Sequence, residues 1–264
     1  MFFLFCAIGV RAQDTPAIYK FEKGKTYKYL QELKVDITQE LPGQTMNITV
    51  DGTVTSSMNI LDVLSTGNFK CKTTIDNALV MVESPQGTQT MGKELAGKAF
   101  DLEIKQNGET IKDDSLLKGI DPQDMQVVSR VLSLLPKLSD NVLSIGTKWT
   151  IEKTDTTKAN GNMVTKSKTI YTVKEKKQVD AYDCFLVEII GDSETSGTMQ
   201  QGGMDLNVNG EGKTQGTMLF AVKEGLVIQM TGDDNSEQTI TVPSQQNMRI
   251  PMTQHSTIKL ELLK

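Results

Sequence analysis

The chain has 264 residues, 38% of them hydrophobic, which is enough apolar material for one large core or two modest ones. Its net charge is −5 and it carries no basic run, which excludes the electrostatic footprint of a nucleic-acid binder. A single histidine leaves no clustered zinc site, and a Ser-His-Asp triad would have to use His255.

The first dozen residues read as a processed leader. Phe2 to Val10 is an apolar run too short to span a bilayer as a helix, and Val10-Arg11-Ala12 places a small residue before Gln13, as a signal-peptidase site does. Cys6 follows Leu4-Phe5 and so lacks the small residue of a lipobox. Residues 1–12 are therefore expected to be a signal peptide, and the protein to be exported to the periplasm or cell surface. Loss of Arg11 moves the net charge from −5 to −6. Cys71 and Cys184 then remain. Export permits a disulfide, but both sit in strand-like runs at equivalent places in two halves of the chain, and they read as two buried free thiols.

From Tyr27 to Thr38 the pattern has period two: Tyr27, Tyr29, Leu33, Val35 and Ile37 against Lys28, Glu32, Lys34 and Asp36. Leu41-Pro42-Gly43-Gln44 is a turn. Met46, Ile48, Val50, Val54, Met58 and Ile60 continue the alternation in a strand reaching ~50 Å, so its sheet must twist and curl. Phe69, Cys71, Thr73 and Ile75 give a third strand, and Ala78 to Glu83 a short apolar one. Phe100, Leu102 and Ile104 lead into Asn107-Gly108, a hairpin signal.

Asp121 to Leu135 reads as the one helix. Asp121 suits the N-cap and Pro122 the first helical position. Met125, Val127, Val128, Val131, Leu132, Leu134 and Leu135 fill half of the wheel, and Pro136 ends it. Past the helix the strands resume at Trp149 and Ile151. They continue through Met163 to Val173 and through Phe185, Val187 and Ile189, then the glycine-punctuated stretch from Gly197 to Gly232, and finally Met248 to Leu262. The two halves are expected to be related copies at an offset near 120 residues. Gly24-Lys25-Thr26-Tyr27 parallels Gly146-Thr147-Lys148-Trp149, and Phe100 before Asn107-Gly108 parallels Phe220 before Glu224-Gly225.

The chemical motifs fall away in turn. Gly92-Lys93-Glu94-Leu95-Ala96-Gly97-Lys98-Ala99 lacks the Ser or Thr that a phosphate-binding loop needs at its end, and it opens a strand. Asp233, Asn235 and Glu237 lack the spacing of a calcium loop and read as an acidic hairpin turn. His255 falls on a solvated strand face. No catalytic residue, metal site or cofactor is expected. The positive signal is methionine: thirteen residues, most on apolar faces, an adaptable lining for a greasy ligand. Met46, Met58, Met125, Val128, Leu132, Leu135, Met218 and Met230 are the candidate lining.

Phe21-Glu22-Lys23-Gly24-Lys25-Thr26-Tyr27 and the hairpins from Gly210 to Gly225 resemble those of secreted proteins of Bacteroidetes. The long one-sided strands with a lone helix are also similar, as architecture, to the half-barrel of the LolA/LolB lipoprotein carriers. That likeness implies a curved antiparallel sheet wrapping a helical plug. The expectation is thus a mainly β (α+β) protein: a signal peptide at 1–12, a first β half with its C-terminal helix at 13–136, and a second at 137–264. Its expected role is non-catalytic binding of a lipid or lipid-modified protein. The alternative is a structural or protein-interaction module of the envelope whose cores are already filled.

Overall fold

Strands of up to 20 residues, each apolar on alternate positions, can bury one face only by lying side by side, and here they form a single sheet. The computed structural model describes residues 17–111, 118–121, 124–157, 161–201 and 203–264. The first half of the chain supplies β1 (Thr26–Leu41), β2 (Gln44–Val63), β3 (Phe69–Ser84), β4 (Gly87–Met91), β5 (Ala99–Ile104) and β6 (Thr110–Ile111). The helix α1 (Met125–Leu132) follows. The second half supplies β7 (Lys148–Thr157), β8 (Gly161–Val179), β9 (Tyr182–Gln201), β10 (Met204–Ala221), β11 (Leu226–Val242) and β12 (Met248–Leu263). The order across the sheet is β6-β5-β3-β2-β1-β12-β11-β10-β9-β8-β7, with β4 beside β3. Every ladder is antiparallel.

The two halves are joined at a different place from the one expected. The sequence places the seam near the helix and the loop from Lys137 to Gly146. The ladder instead joins them through β1 and β12, from Lys28 opposite Leu263 to Gln39 opposite Met252. The connection carrying α1 runs between the two outermost strands, β6 and β7. Its far end touches both: the Thr110 hydroxyl donates to the Leu132 carbonyl (3.0 Å), and the Trp149 indole N–H donates to the Lys137 carbonyl (3.2 Å). Lys105 and Lys137 both pair with Glu109 and hold its carboxyl below the usual carboxylate range.

The helix is shorter than predicted. Its N-cap is Asp124, without a side-chain cap, because that carboxylate accepts from the Gly92 N–H (3.1 Å) and ties the helix to the chain after β4. Pro122 lies outside the described residues. The helix ends at Leu132; Leu134 and Leu135 are buried in non-helical chain, consistent with the bias against helix just before Pro136.

One core fills the inner face at one end of the sheet, here the base. It takes Tyr29, Met58, Ile60 and Cys71 from the first half, Val173, Val187, Met218 and Phe220 from the second, and Val128 and Val131 from α1. The lead segment straps the two halves together. The Tyr19 N–H donates to the Gln106 carbonyl (2.8 Å) and the Lys20 N–H to the Gly225 carbonyl (3.2 Å), while Tyr19 stacks on Phe21 and meets Phe220 edge-on. Two glycines make room for the strap. At Gly108 (φ 91°) a Cβ would come within 2.5 Å of the Tyr19 ring and 2.7 Å of the Pro136 oxygen; at Gly225 (φ 66°) one would come within 2.5 Å of the Lys20 nitrogen.

Candidate functional site

Away from the base the inner face changes character. The register there aligns Val82, Val50 and Val35 in one row, Ile48 and Ile37 in the next, Met46, Gln39 and Met252 in a third, and Ile250, Ile240 and Val208 further out. Most of these side chains are only half buried, and α1 packs mainly against β3. An apolar band therefore runs from the packed base along the inner face of β3, β2, β1, β12 and β11. On the β9–β11 side of the same face, Gly191, Ser193, Gly210, Gly212 and Ser236 form a small-residue floor beside it.

The structure separates the eight predicted lining residues. Met58, Val128, Leu135 and Met218 are buried in the core, with Leu132 and Met230 packed at its margin. Met125 is half buried on α1, outside that cluster. Only Met46 lies in the open band. None of the eight lines any of the three hollows described below. Core methionines and lining methionines share one pattern in sequence. The residues that sequence reading missed, Ile37, Ile48, Ile240 and Ile250 among them, carry the alternation signal; what distinguishes them is the cover they lack.

A hollow of about 1010 Å³ lies on the opposite, outer face. Two register rows border it. One runs Thr53, Glu32, Lys259, Thr231, Thr217 and Glu188; the other runs Asp51, Lys34, Thr257, Asp233, Gln215 and Ile190. Its floor is the backbone row between them, which includes Gly52, Gly232 and Gly216. Its charges are partly paired within it, Lys259 to Glu32 (3.6 Å) and Lys174 to Glu188 (3.1 Å).

Beyond this trough, His255 is 46% exposed on the same face, bonded to Asn235 (2.9 Å) and beside Asp233 (3.7 Å). The expected acidic hairpin turn is overturned: Asp233, Asn235 and Glu237 lie in the middle of β11, paired on both sides. Among the described residues no cluster of three His, Cys, Asp or Glu side chains is placed to hold a metal ion.

A second hollow, about 870 Å³, opens at the base where the loop before β7 meets the β8–β9 and β10–β11 turns. Leu143, Ile145, Phe185 and Val222 give it apolar walls, and Lys20, Lys176, Lys177 and Lys223 surround it. A third, about 400 Å³, lies between Tyr182 and Lys264. Cys71 and Cys184 are free and buried, and burial raises both thiols to about 11. They are therefore protonated at neutral pH and poor nucleophiles.

No protein-family model matches this sequence, and no curated protein does. Among solved structures the fold is similar to lipovitellin, in a structure concerned with lipid–protein interactions, at a TM-score of 0.53 and 11% identity. The match covers 93% of this chain but 26% of lipovitellin, so the chain corresponds to about a quarter of that protein. An outer membrane channel from Pseudomonas putida F1 is matched at a TM-score of 0.26 and 8% identity, over 93% of this chain and 98% of the channel, too low to carry an argument. The likeness to lipovitellin is one of fold: a large, open antiparallel sheet of long strands.

Proposed function

We propose that this is a non-catalytic protein of the cell envelope, exported to the periplasm or cell surface, that holds an apolar ligand against the inner face of its curved sheet. The ligand is a lipid or the acyl part of a lipid-modified protein. On this reading the two halves are related copies and the sheet works as a carrier-type half-barrel, open away from the base. The observation that carries the proposal is the apolar band: Val50, Ile37, Ile48, Met46, Ile240, Ile250 and Met252 stay half buried where the core ends. An apolar face of that extent gains from cover, at about 25 cal/mol per Å² removed from water. The fold shared with lipovitellin supports the same reading.

Native mass spectrometry of the protein gently extracted from its own host tests it. The expected spectrum contains a complex heavier than the chain, which releases a small apolar molecule on unfolding. An I48E/M252E variant should come out bare. A wild-type spectrum of the bare chain, together with no saturable uptake of a neutral acyl probe such as monoolein, would leave only the structural-module reading.

A further inference from the structure

The basal hollow is chemically unlike the band, and a different observation bears on it. Ile145 is 61% exposed, the most exposed large aliphatic side chain among the described residues, yet its turn is firmly held. The Ser144 N–H donates to the Thr147 hydroxyl (3.0 Å), the Thr147 N–H to the Ser144 carbonyl (2.9 Å), and the Gly146 N–H to the Val173 carbonyl (2.8 Å). A single exposed isoleucine is ordinary; an exposed isoleucine continuous with an apolar wall marks a surface that gains from cover. Buried Leu143 and Phe185 continue its apolar surface inward.

The charge around that surface is one-sided. Four lysines and one acid, Asp183, line the hollow, with Glu224 near enough to Cys184 to act on its thiol. Among the described residues Lys20, Lys176, Lys177 and Lys223 form no ion pair, although thirteen ion pairs occur elsewhere, most of them lysine to a carboxylate. Lys176 lies over the Phe185 ring (5.7 Å). The Lys20 ammonium donates to the Val222 and Lys223 carbonyls (3.0 and 3.2 Å), which fixes it in place and leaves its third N–H for an anion.

We propose that this cleft binds a single-chain anionic amphiphile: an acyl chain laid along Ile145, Leu143 and Phe185, with its carboxylate or phosphate head among Lys176, Lys177 and Lys223. The apolar walls and the unpaired cations together specify that class. A neutral chain meets the walls but forgoes the head-group attraction, and a small anion meets only exposed lysines, whose pull in water is weak. The site is separate from the apolar band: it sits at the start of β9, while the band's rows cross β9 and its neighbours roughly 25–50 Å further along at about 3.3 Å per residue.

Calorimetric titration of the delipidated full-length protein with laurate, dodecyl phosphate and dodecanol, each below its aggregation concentration, tests the proposal. Laurate or dodecyl phosphate should bind saturably and at least tenfold tighter than dodecanol, and their order identifies a carboxylate or a phosphate head. A K176Q/K177Q/K223Q variant should lose tenfold or more in affinity for the preferred anion, and Ile145→Asp should weaken it as well. Ile48→Glu, in the band, should leave it unchanged. Equal binding of all three ligands, or an unaltered affinity in the triple lysine variant, would overturn the assignment. Loss through Ile48→Glu alone would move the anion to the band and remove it from the cleft.

Discussion

Tyr19 and Tyr29 are both wholly buried at the base, and they differ in one hydrogen bond. The Tyr19 hydroxyl donates to the Pro136 carbonyl (2.9 Å), while the Tyr29 hydroxyl finds no partner among the described residues. A buried polar group without a partner loses its hydration and gains nothing in return, at a cost of about 1–3 kcal/mol. Burial also raises both phenols above their ordinary pKa, so each stays protonated throughout the neutral range. Removing the two hydroxyls should therefore act in opposite directions. Tyr19→Phe is expected to destabilise by about 1 kcal/mol, because it strands the Pro136 oxygen, and Tyr29→Phe to be neutral or stabilising by about the same amount. Urea unfolding of the two variants measures this; equal losses would show that the Tyr29 hydroxyl is satisfied in solution.

At the level of elements, the strap and the helix connection hold the base, and both depend on tight approaches. Gly108 is the sharpest. Alanine there meets a positive φ and two contacts under 3 Å, so Gly108→Ala should cost more than about 2 kcal/mol, beyond the usual ~1 kcal/mol for a left-handed residue, as measured by urea denaturation. A loss of 1 kcal/mol or less would mean that Tyr19 swings away freely.

The same elements show what could be read from sequence. Period-two alternation marked β1 and β2 because one face of each is buried at the base. The helical wheel marked α1, through Val127, Val128 and Val131, but its ends were misplaced. Asp124 serves Gly92 instead of capping, and that partner, 32 residues away, leaves no local trace. Composition misled at Asp233–Glu237, where turn-like residues sit in mid-strand. Thr214 donates to Asp234 (2.7 Å) and His255 bonds Asn235, so neighbouring strands supply partners that a turn would otherwise need. Alternation also made Met58 and Met46 look alike. One is core and the other lies in the open band, because helix and strap cover only the base.

At the scale of the whole molecule, the proposed function rests on that uneven cover. One continuous sheet is filled at its base, troughed on its outer face, and open along an inner apolar band. An open face covers roughly half of an acyl chain. At ~0.8 kcal/mol per buried methylene a sixteen-carbon chain then gains roughly 6 kcal/mol, against at least ~4 kcal/mol lost on association. A short chain would not stay bound, so the band suits long or paired chains. Photolabelling places such a chain most directly. The delipidated protein would be irradiated with a neutral long-chain alcohol bearing a diazirine near its tail, digested, and mapped by mass spectrometry. Label should concentrate on residues 35–50 and 240–252 and be lost in the I48E/M252E variant. Label no greater than on the unfolded chain, or spread evenly over the surface, would contradict it.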